Sequence, residues 1–182
     1  MKKWQTLSSK MVFDHPWYRL RQDKVALSNG QVVDDYFVSL RPDIATVLPI
    51  TANHEVVLVR QYRHGIGEIL LELPAGTFEV GEDPLAVAQR ELVEETGYIS
   101  ERWSAIATIY SNPVNQNNRT HLFRADAVWR SQAQRLDATE EIEVILKPVA
   151  DLPALIASGQ ICVSGSISAI ALGFPELLAP AK

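Results

Sequence analysis

The stretch Gly76–Tyr98, GTFEVGEDPLAVAQRELVEETGY, decides how the rest of the chain is interpreted. It opens on a glycine turn and predicts a helix with Asp83 as its N-cap, Pro84 at its first position and Gly97 just beyond its end. Because successive helical residues turn by about 100°, three apolar side chains share one side of this helix and predict a stripe facing the core. They are Leu85, Ala88 and Leu92.

Three glutamates share a different side of the same helix, at spacings i, i+3 and i+4: Glu91, Glu94 and Glu95. Like charges at these spacings repel each other by roughly a few tenths of a kcal/mol per pair. They also lie near the negative end of the helix dipole, where a cation is favoured and an anion is not. Arg90 offsets only part of this charge. Because carboxylate oxygens are preferred ligands of hard divalent cations, the pattern predicts a metal site.

The fixed residues of this stretch resemble the Nudix box in type, order and spacing: Gly76, Glu82, Arg90, Glu91, Leu92, Glu94, Glu95 and Gly97. Only the last box position, which is usually aliphatic, differs, because it holds Tyr98. The resemblance implies an α/β protein with the Nudix fold, an α/β/α sandwich around a mixed sheet. It therefore also implies a hydrolase that depends on Mg²⁺, with Mn²⁺ as a substitute.

The resemblance assigns roles to individual box residues. The metal is expected on the carbonyl of Ala75 and on the side chains of Glu91, Glu94 and Glu95. Arg90 is expected to pair with a box acid, Glu82 or Glu94, and to hold it in place for catalysis. Three box residues have structural roles: Gly76, Glu82 and Gly97.

Composition places the chain among ordinary globular proteins. Its 182 residues fit one domain or one domain with a short appendage, and 47% of them are hydrophobic. A formal net charge of −5 argues against a general nucleic-acid binder. The single cysteine, Cys162, is expected to be a small buried residue. The first residues contain no apolar run and no stretch approaches about 20 apolar residues, so we expect a cytoplasmic protein without a membrane segment.

Residues 1–42 predict an amino-terminal β-hairpin appendage, followed by a Nudix domain over residues 43–182. A strand over 18–27 is followed by a turn containing Asn-Gly and by a second strand over 32–40. This resembles the appendage of ADP-ribose and nucleoside diphosphate sugar pyrophosphatases, which commonly supports a homodimer. Trp17 and Tyr18 either stack on a nucleobase or anchor the hairpin.

The remaining elements follow from β-rich runs and helix boundaries. Six further strands are predicted: 44–50, 55–62, 69–73, 103–110, 121–125 and 142–148. Asp151 is expected to cap a short helix over 152–158, and a last helix is expected from about Ser166 to Leu172.

Substrate-binding residues are implied by similarity to the sugar-pyrophosphatase branch. Gln61 and Arg63 match a segment whose Arg commonly meets the diphosphate or the terminal sugar, although Arg63 could instead pair with a nearby acid. Glu72 opens the Glu-Leu-Pro-Ala-Gly segment that is typical of this branch.

The loop after the box is also informative. Pro113 lies sixteen residues beyond Gly97, a mark of ADP-ribose pyrophosphatases, but Val114 and Asn118 replace the commoner Gly and acid. This departure leaves room for other nucleotide sugars, and Asn118 is included among the expected substrate-binding residues.

The catalytic base is expected in the acidic segment before the last strand. Glu140 is the first choice and Glu141 the second, since this segment is similar to the mobile loop that supplies the family's base or an extra metal ligand. The alternative is a solvated acidic turn. Loops of this kind often become ordered only around substrate.

The sequence therefore predicts Mg²⁺-dependent cleavage of a nucleoside diphosphate sugar to a nucleoside monophosphate and a sugar phosphate. ADP-ribose is the first candidate substrate and GDP-mannose the second. A non-catalytic sensor with the same fold is the alternative, although such proteins often lose box acids that are all present here. A hydrolase of nucleoside triphosphates or capped RNA is the third interpretation. The amino-terminal hairpin argues against nucleoside triphosphates, and the negative net charge argues against capped RNA.

Overall fold

The computed structural model describes residues 1–178, which form two compact units. The first unit contains residues 1–42 and 110–119, and the second contains residues 43–109 and the chain from Thr120 onward. No helix within residues 1–178 is long and apolar enough to cross a membrane.

The first unit is a three-stranded antiparallel sheet in the order β1–β2–β3: β1 (Gln5–His15), β2 (Tyr18–Ala26) and β3 (Val32–Leu40). The two hairpin strands were predicted, but β1 was not. Its register shifts at Thr6/Ser8 and again at Met11/Phe13. Each shift resets the alternation of side chains between the two faces, so β1 lacks the regular period-2 pattern by which a strand is recognised.

Residues 110–119 are attached to β3 by hydrogen bonds from both backbone and side chains. The Ser39 amide donates to the Asn115 carbonyl at 2.8 Å, and the Arg41 amide donates to Asn117 Oδ1 at 2.9 Å. The Tyr36 hydroxyl also donates to the carbonyl of Val114. The polar loop is therefore part of the first unit although it lies about 70 residues beyond β3 in sequence.

The second unit contains one mixed sheet of eight strands: β4 (Ile44–Thr51), β5 (Glu55–Arg63), β6 (Glu68–Glu72), β7 (Ala75–Thr77), β8 (Tyr98–Ile99), β9 (Arg102–Ile109), β10 (Thr120–Arg130) and β11 (Ile142–Pro148). Its central path runs β11–β5–β4–β10–β8. β4 and β10 are parallel and the other pairs are antiparallel. The predicted mixed sheet is confirmed, whereas the short strands β7 and β8 were not predicted.

Helices cover the two faces of this sheet. Alternate side chains of a strand point to opposite faces of the sheet, so adjacent residues contribute to different hydrophobic cores. Val47, for example, belongs to one core and Leu48 to the other. On one face the core includes Val87, Ala88 and Leu92 of α1 (Pro84–Thr96). On the other face it includes residues of α2 (Leu152–Ala157) and α3 (Ser164–Gly173). This is the predicted α/β/α sandwich.

The boundaries of α1 agree with the sequence signals. Asp83 Oδ1 accepts hydrogen bonds from the amides of Leu85 and Ala86, and Gly97 ends the helix at φ 76°. A Cβ at Gly97 would lie 2.2 Å from the carbonyl oxygen of Gln132, so glycine is required there by both conformation and space.

Two expectations about the carboxyl-terminal part were wrong. Asp151 makes no side-chain cap, because Val149–Asp151 form a 3₁₀ turn that leads directly into α2 and gives Asp151 itself helical dihedral angles. Cys162 is exposed rather than buried. The preceding residue, Ile161, occupies the inward position and is fully buried.

Candidate active site

The site is built where the chain crosses from one strand of the sheet to another. β6 pairs with β5, β7 pairs with β4, and Leu73 and Pro74 connect them. The Pro74 carbonyl accepts a hydrogen bond from the Val47 amide at 2.9 Å. The next residue, Ala75, donates its amide to Glu95 Oε2 of α1 at 3.0 Å. The crossover is thus connected directly to the acidic side of the box helix.

Gly76 brings the backbone into contact with a second glutamate. A Cβ built on Gly76 would lie 1.8 Å from Cδ of Glu91 and 1.9 Å from its Oε1. No side chain fits in that space, so glycine is what allows the Glu91 carboxylate to lie against the crossover. This gives the predicted structural role of Gly76 a specific physical reason.

Glu91 and Glu95 are buried carboxylates, with exposed fractions of 9% and 3%. Burial raises the pKa of Glu95 to about 8, and the nearby charge of Glu91 contributes to the increase. Burial also raises the pKa of Glu91, although the Arg90 guanidinium acts in the opposite direction. Two carboxylates that are close together and shielded from water repel each other when both are ionised. They therefore favour the binding of a proton or of another cation.

Arg90 contacts three glutamates. Its Nη1 donates to Glu91 Oε1 at 2.8 Å and to Glu94 Oε2 at 3.2 Å, and its Nη2 donates to Glu82 Oε2 at 3.3 Å. Burial, which by itself lowers the pKa of Arg90, is outweighed by these carboxylates, so the pKa is raised. The structure therefore contains both predicted partners of Arg90, Glu82 and Glu94, and adds a third in Glu91.

Glu82 is fixed from a second direction. Its Oε2 accepts a hydrogen bond from the Glu79 amide at 2.7 Å, and this bond is the main reason that the pKa of Glu82 is lowered. The ionised Glu82 therefore holds the loop that leads into α1 and also orients the guanidinium of Arg90.

The donors at this site suit a hard divalent cation. Within residues 1–178, no three His, Cys, Asp or Glu side chains converge in a geometry that could hold a metal ion. The expected ligand set, however, combines glutamates with a backbone carbonyl, and all of its donors are oxygen atoms. Glu95 makes no ion pair with any residue in the described chain, and the hydrogen bond from Ala75 and the charge of Arg63 offset only part of the effect of its burial on its pKa. Carboxylate and carbonyl oxygens of this kind fit a divalent metal ion.

Comparison with known proteins identifies the family. Residues 40–162 match the NUDIX domain, and residues 4–39 match the nucleoside diphosphate sugar hydrolase N-terminal domain. The chain belongs to the Nudix hydrolase family. It is 30% identical to an ADP-ribose pyrophosphatase of Bacillus subtilis, over 86% of this chain and 85% of that protein. It is also 33% identical to a methanol dehydrogenase activator of Bacillus methanolicus, over 78% of this chain and 76% of that protein.

A solved structure supports the same fold. The crystal structure of an ADP compounds hydrolase superimposes with a TM-score of 0.86 at 20% sequence identity, covering 97% of this chain and 95% of that chain. This match supports the Nudix fold of the chain.

Arg63 and Glu72 of this Nudix domain form a bidentate ion pair. Arg63 Nε and Nη2 donate to the two carboxylate oxygens of Glu72, both at 2.8 Å. The bond to Glu72 is the main cause that raises the pKa of Arg63, and the charges of Glu95 and Glu140 add to it. Gln61 lies two residues before Arg63 on β5, so its side chain is on the same face of the sheet.

The two candidate bases are both exposed but differ in what surrounds them. The charge of Glu140 acts on Glu91 and Glu95 and raises the pKa of each, although burial is the larger cause in both cases. Its Oε2 accepts a hydrogen bond from the Asp137 amide at 3.0 Å. Glu141 lines an open groove of about 510 Å³ together with Gln61. The structure thus brings Glu140 within electrostatic range of the box acids.

The other expected substrate residues belong to the first unit. Trp17 is 80% exposed, and Tyr18 is exposed with the Arg41 guanidinium 5.7 Å from its ring centre. Asn118 is buried. Their roles in substrate binding stay predictions.

Sequence reasoning missed two residues that connect the Nudix site to the rest of its unit. Gln134 Nε2 donates to the carbonyls of Glu95, at 2.6 Å, and Ile142, at 3.1 Å, and so joins the end of α1 to the start of β11. Ser166 Oγ accepts the amide of Leu73 at 2.9 Å. Nothing in the sequence distinguishes this glutamine or this serine from surface residues, because Glu95 lies 39 residues from Gln134 and Leu73 lies 93 residues from Ser166.

Proposed function

We propose that this Nudix protein catalyses Mg²⁺-dependent hydrolysis of the pyrophosphate bond of nucleoside diphosphate sugars, with ADP-ribose as the first candidate substrate and GDP-mannose as the second. The observation that carries the proposal is the pair of buried carboxylates, Glu91 and Glu95, against the Ala75–Gly76 backbone. Buried acids with raised pKa values at a crossover of strands cost stability. Such an arrangement is expected where a cation binds. The names of the ADP-ribose and ADP-sugar pyrophosphatases among the relatives support the substrate class.

The proposed metal ligands are the Ala75 carbonyl, Glu91, Glu94 and Glu95. A bound Mg²⁺ would offset negative charge on the diphosphate and polarise its phosphorus–oxygen bonds. Arg90 holds the carboxylates of Glu91 and Glu94 in fixed positions through its two hydrogen bonds from Nη1.

The protein also moves protons and binds the substrate. Glu140 accepts the proton of the attacking water, and Glu141 is the second choice for this role. The oxygen of that water forms a bond to phosphorus while the bridging phosphorus–oxygen bond breaks, which yields a nucleoside monophosphate and a sugar phosphate. Arg63 binds a phosphate or the terminal sugar by exchanging part of its contact with Glu72, since its planar donors suit either acceptor.

Recognition of the nucleoside and sugar is proposed for six residues: Trp17, Tyr18, Gln61, Arg63, Glu72 and Asn118. The aromatic pair would stack on the base, and the polar residues would hydrogen-bond to the sugar and phosphates. No nucleic-acid or membrane partner is proposed, and a cytoplasmic location stays a prediction.

We also propose that the protein is a homodimer through its amino-terminal sheet. β1 is exposed along all 11 of its residues, and apolar side chains such as Leu7, Val12 and Phe13 face solvent. An exposed sheet of this kind usually marks a protein interface. Light scattering after size-exclusion chromatography would measure the mass, and a monomer at micromolar concentration would contradict the proposal.

A substrate panel tests the function directly. Release of monophosphate would be measured with ADP-ribose, GDP-mannose, other nucleotide sugars, nucleoside triphosphates and capped RNA, each with Mg²⁺ and with EDTA. We expect turnover of at least one nucleotide sugar that EDTA abolishes. Tight binding of one compound without turnover of any would instead favour the sensor, an alternative that the intact set of box acids disfavours.

Substitutions separate the roles of the acids. Glu95→Gln is expected to lose both Mn²⁺ affinity and rate, whereas Glu140→Gln is expected to lose rate while retaining most of its Mn²⁺ affinity. A normal rate in Glu140→Gln would move the base role to Glu141 or to another residue.

A further inference from the structure

The crossover between β6 and β7 leaves backbone amides outside the sheet ladder. Leu73 follows the last residue of β6 and Pro74 has no amide hydrogen, so neither continues the pairing of β5 with β6. A buried amide without an acceptor is costly, and Leu73 is almost completely buried. The acceptor for Leu73 must therefore come from outside the sheet.

Ser166 provides that acceptor from the first turn of α3. Its Oγ is 2.9 Å from the Leu73 amide nitrogen, and Ser166 is only 2% exposed. Gly165, the residue before it, also lies close to β4, since a Cβ there would be in ordinary van der Waals contact with Thr46 Oγ1, at 3.4 Å. Thr46 in turn pairs with Ala75 of β7. The start of α3 is therefore packed directly against the strands that carry the crossover.

The crossover is held from both faces of the sheet. Ser166 belongs to the helix on one face and accepts the amide of Leu73. Glu95 belongs to the helix on the other face and accepts the amide of Ala75 at 3.0 Å. The amides of Leu73 and Ala75, separated only by Pro74, are thus fixed by side chains from opposite faces of the sheet. If one of these hydrogen bonds is lost, the short backbone segment between them can shift and disturb the other.

We propose that Ser166 is a positioning residue for the metal site. By fixing the Leu73 amide it sets the place of the Ala75 carbonyl, a proposed ligand, and of the Ala75 amide that holds Glu95. This inference rests on the proposed function, because it assigns Ser166 a role in metal binding rather than in folding alone. Removal of groups that orient metal ligands typically lowers metal affinity or activity by roughly 10–100-fold.

The test compares Ser166→Ala with Ser168→Ala in the full chain. Ser168 lies on the same helix and is only partly buried, so its variant is a matched control of identical chemistry. Mn²⁺ binding would be titrated by electron paramagnetic resonance, and hydrogen exchange of the peptide containing Leu73 would be followed by mass spectrometry. We expect Ser166→Ala to bind Mn²⁺ roughly tenfold more weakly, with faster exchange at Leu73, and Ser168→Ala to behave as wild type.

A kinetic measurement separates positioning from a general loss of stability. At saturating nucleotide sugar, Ser166→Ala should need a higher Mg²⁺ concentration for half-maximal rate, while the KM for the sugar stays near the wild-type value. Wild-type Mn²⁺ affinity in a folded Ser166→Ala protein would overturn the inference.

Two further outcomes remain distinguishable. If Ser166→Ala does not fold, Ser166→Cys keeps nearly the same volume with a weaker acceptor, and it should bind Mn²⁺ several-fold more weakly. Wild-type affinity in that variant would also overturn the inference. If the wild-type protein itself binds no Mn²⁺, the proposed function fails, and the role of Ser166 fails with it.

Discussion

The metal-free protein should become less stable as the pH rises, and Glu95 should be a main cause. The pKa of Glu95 is about 8 in the folded protein, compared with an ordinary value of 4.5. Between these values the folded state binds a proton that the unfolded chain has released. The stability contributed by this proton is complete below about pH 4.5 and is lost progressively as the pH rises through about 8. Glu91, whose pKa is also raised, acts in the same direction.

The substitution Glu95→Gln removes this dependence while keeping an acceptor for the Ala75 amide. A difference of one bound proton changes the free energy of unfolding by about 1.4 kcal/mol per pH unit. Between about pH 5.5 and 7.5, the free energy of unfolding of the variant should therefore increase relative to wild type by up to about 3 kcal/mol. For a chain of this length that corresponds to a difference in Tm of roughly 6–12 °C. The residual slope of the variant would come from Glu91 and other groups.

The assay is thermal unfolding in excess EDTA at several pH values, with Glu94→Gln as the control. Glu94 is on the same helix but its side chain is one-third exposed, and its charge only adds to the raised pKa of Glu91, so we expect its variant to keep most of the wild-type slope. Excess Mg²⁺ at about pH 7.5 should reverse the order of wild type and Glu95→Gln, because only the wild type retains the full ligand set. Parallel pH profiles for wild type and Glu95→Gln in EDTA would refute the reasoning.

Two further substitutions test the geometry of the box. Gly76→Ala should abolish Mg²⁺-dependent turnover in the substrate assay, because the new methyl group would lie 1.8 Å from Cδ of Glu91. Gly65→Ala, where no atom lies within 4 Å of the added Cβ, should be active, and equal activity in the two variants would contradict the interpretation. Arg90→Lys retains the charge but not the planar fork that contacts three glutamates, so we expect its kcat to fall roughly tenfold at saturating Mg²⁺. An unchanged kcat would show that charge alone is sufficient.

The box helix could be predicted from sequence because its determinants are local. Asp83, Pro84 and Gly97 lie within a few residues of the ends they define, and each acts through the backbone of its own segment. The acids on one side of α1 follow from helical geometry in the same way. The burial of these acids could not be predicted, because it depends on the packing of α1 against β7. The sequence of β7 gives no sign of a strand, since it reads as a turn.

Contacts between distant segments could not be predicted. The bond from the Leu73 amide to Ser166 spans 93 residues, and the bond from Tyr36 to the Val114 carbonyl spans 78. In each case the sequence shows a common polar residue in an ordinary helix or strand. Only the topology, in which β6 and β7 pair with different partners, explains why Leu73 needs an acceptor from α3.

The buried carboxylates are each fixed through one oxygen and left available through the other. Glu91 Oε1 accepts from Arg90, and Glu95 Oε2 accepts from the Ala75 amide. Within residues 1–178, Glu91 Oε2 and Glu95 Oε1 have no hydrogen-bond partner from the protein. Burial raises the pKa of Glu95 and so favours a bound proton, and this proton and the proposed cation compete for the same oxygens, because both need a lone pair that the protein does not use. Stability without metal and affinity for metal must then change in opposite directions as the pH rises toward 8.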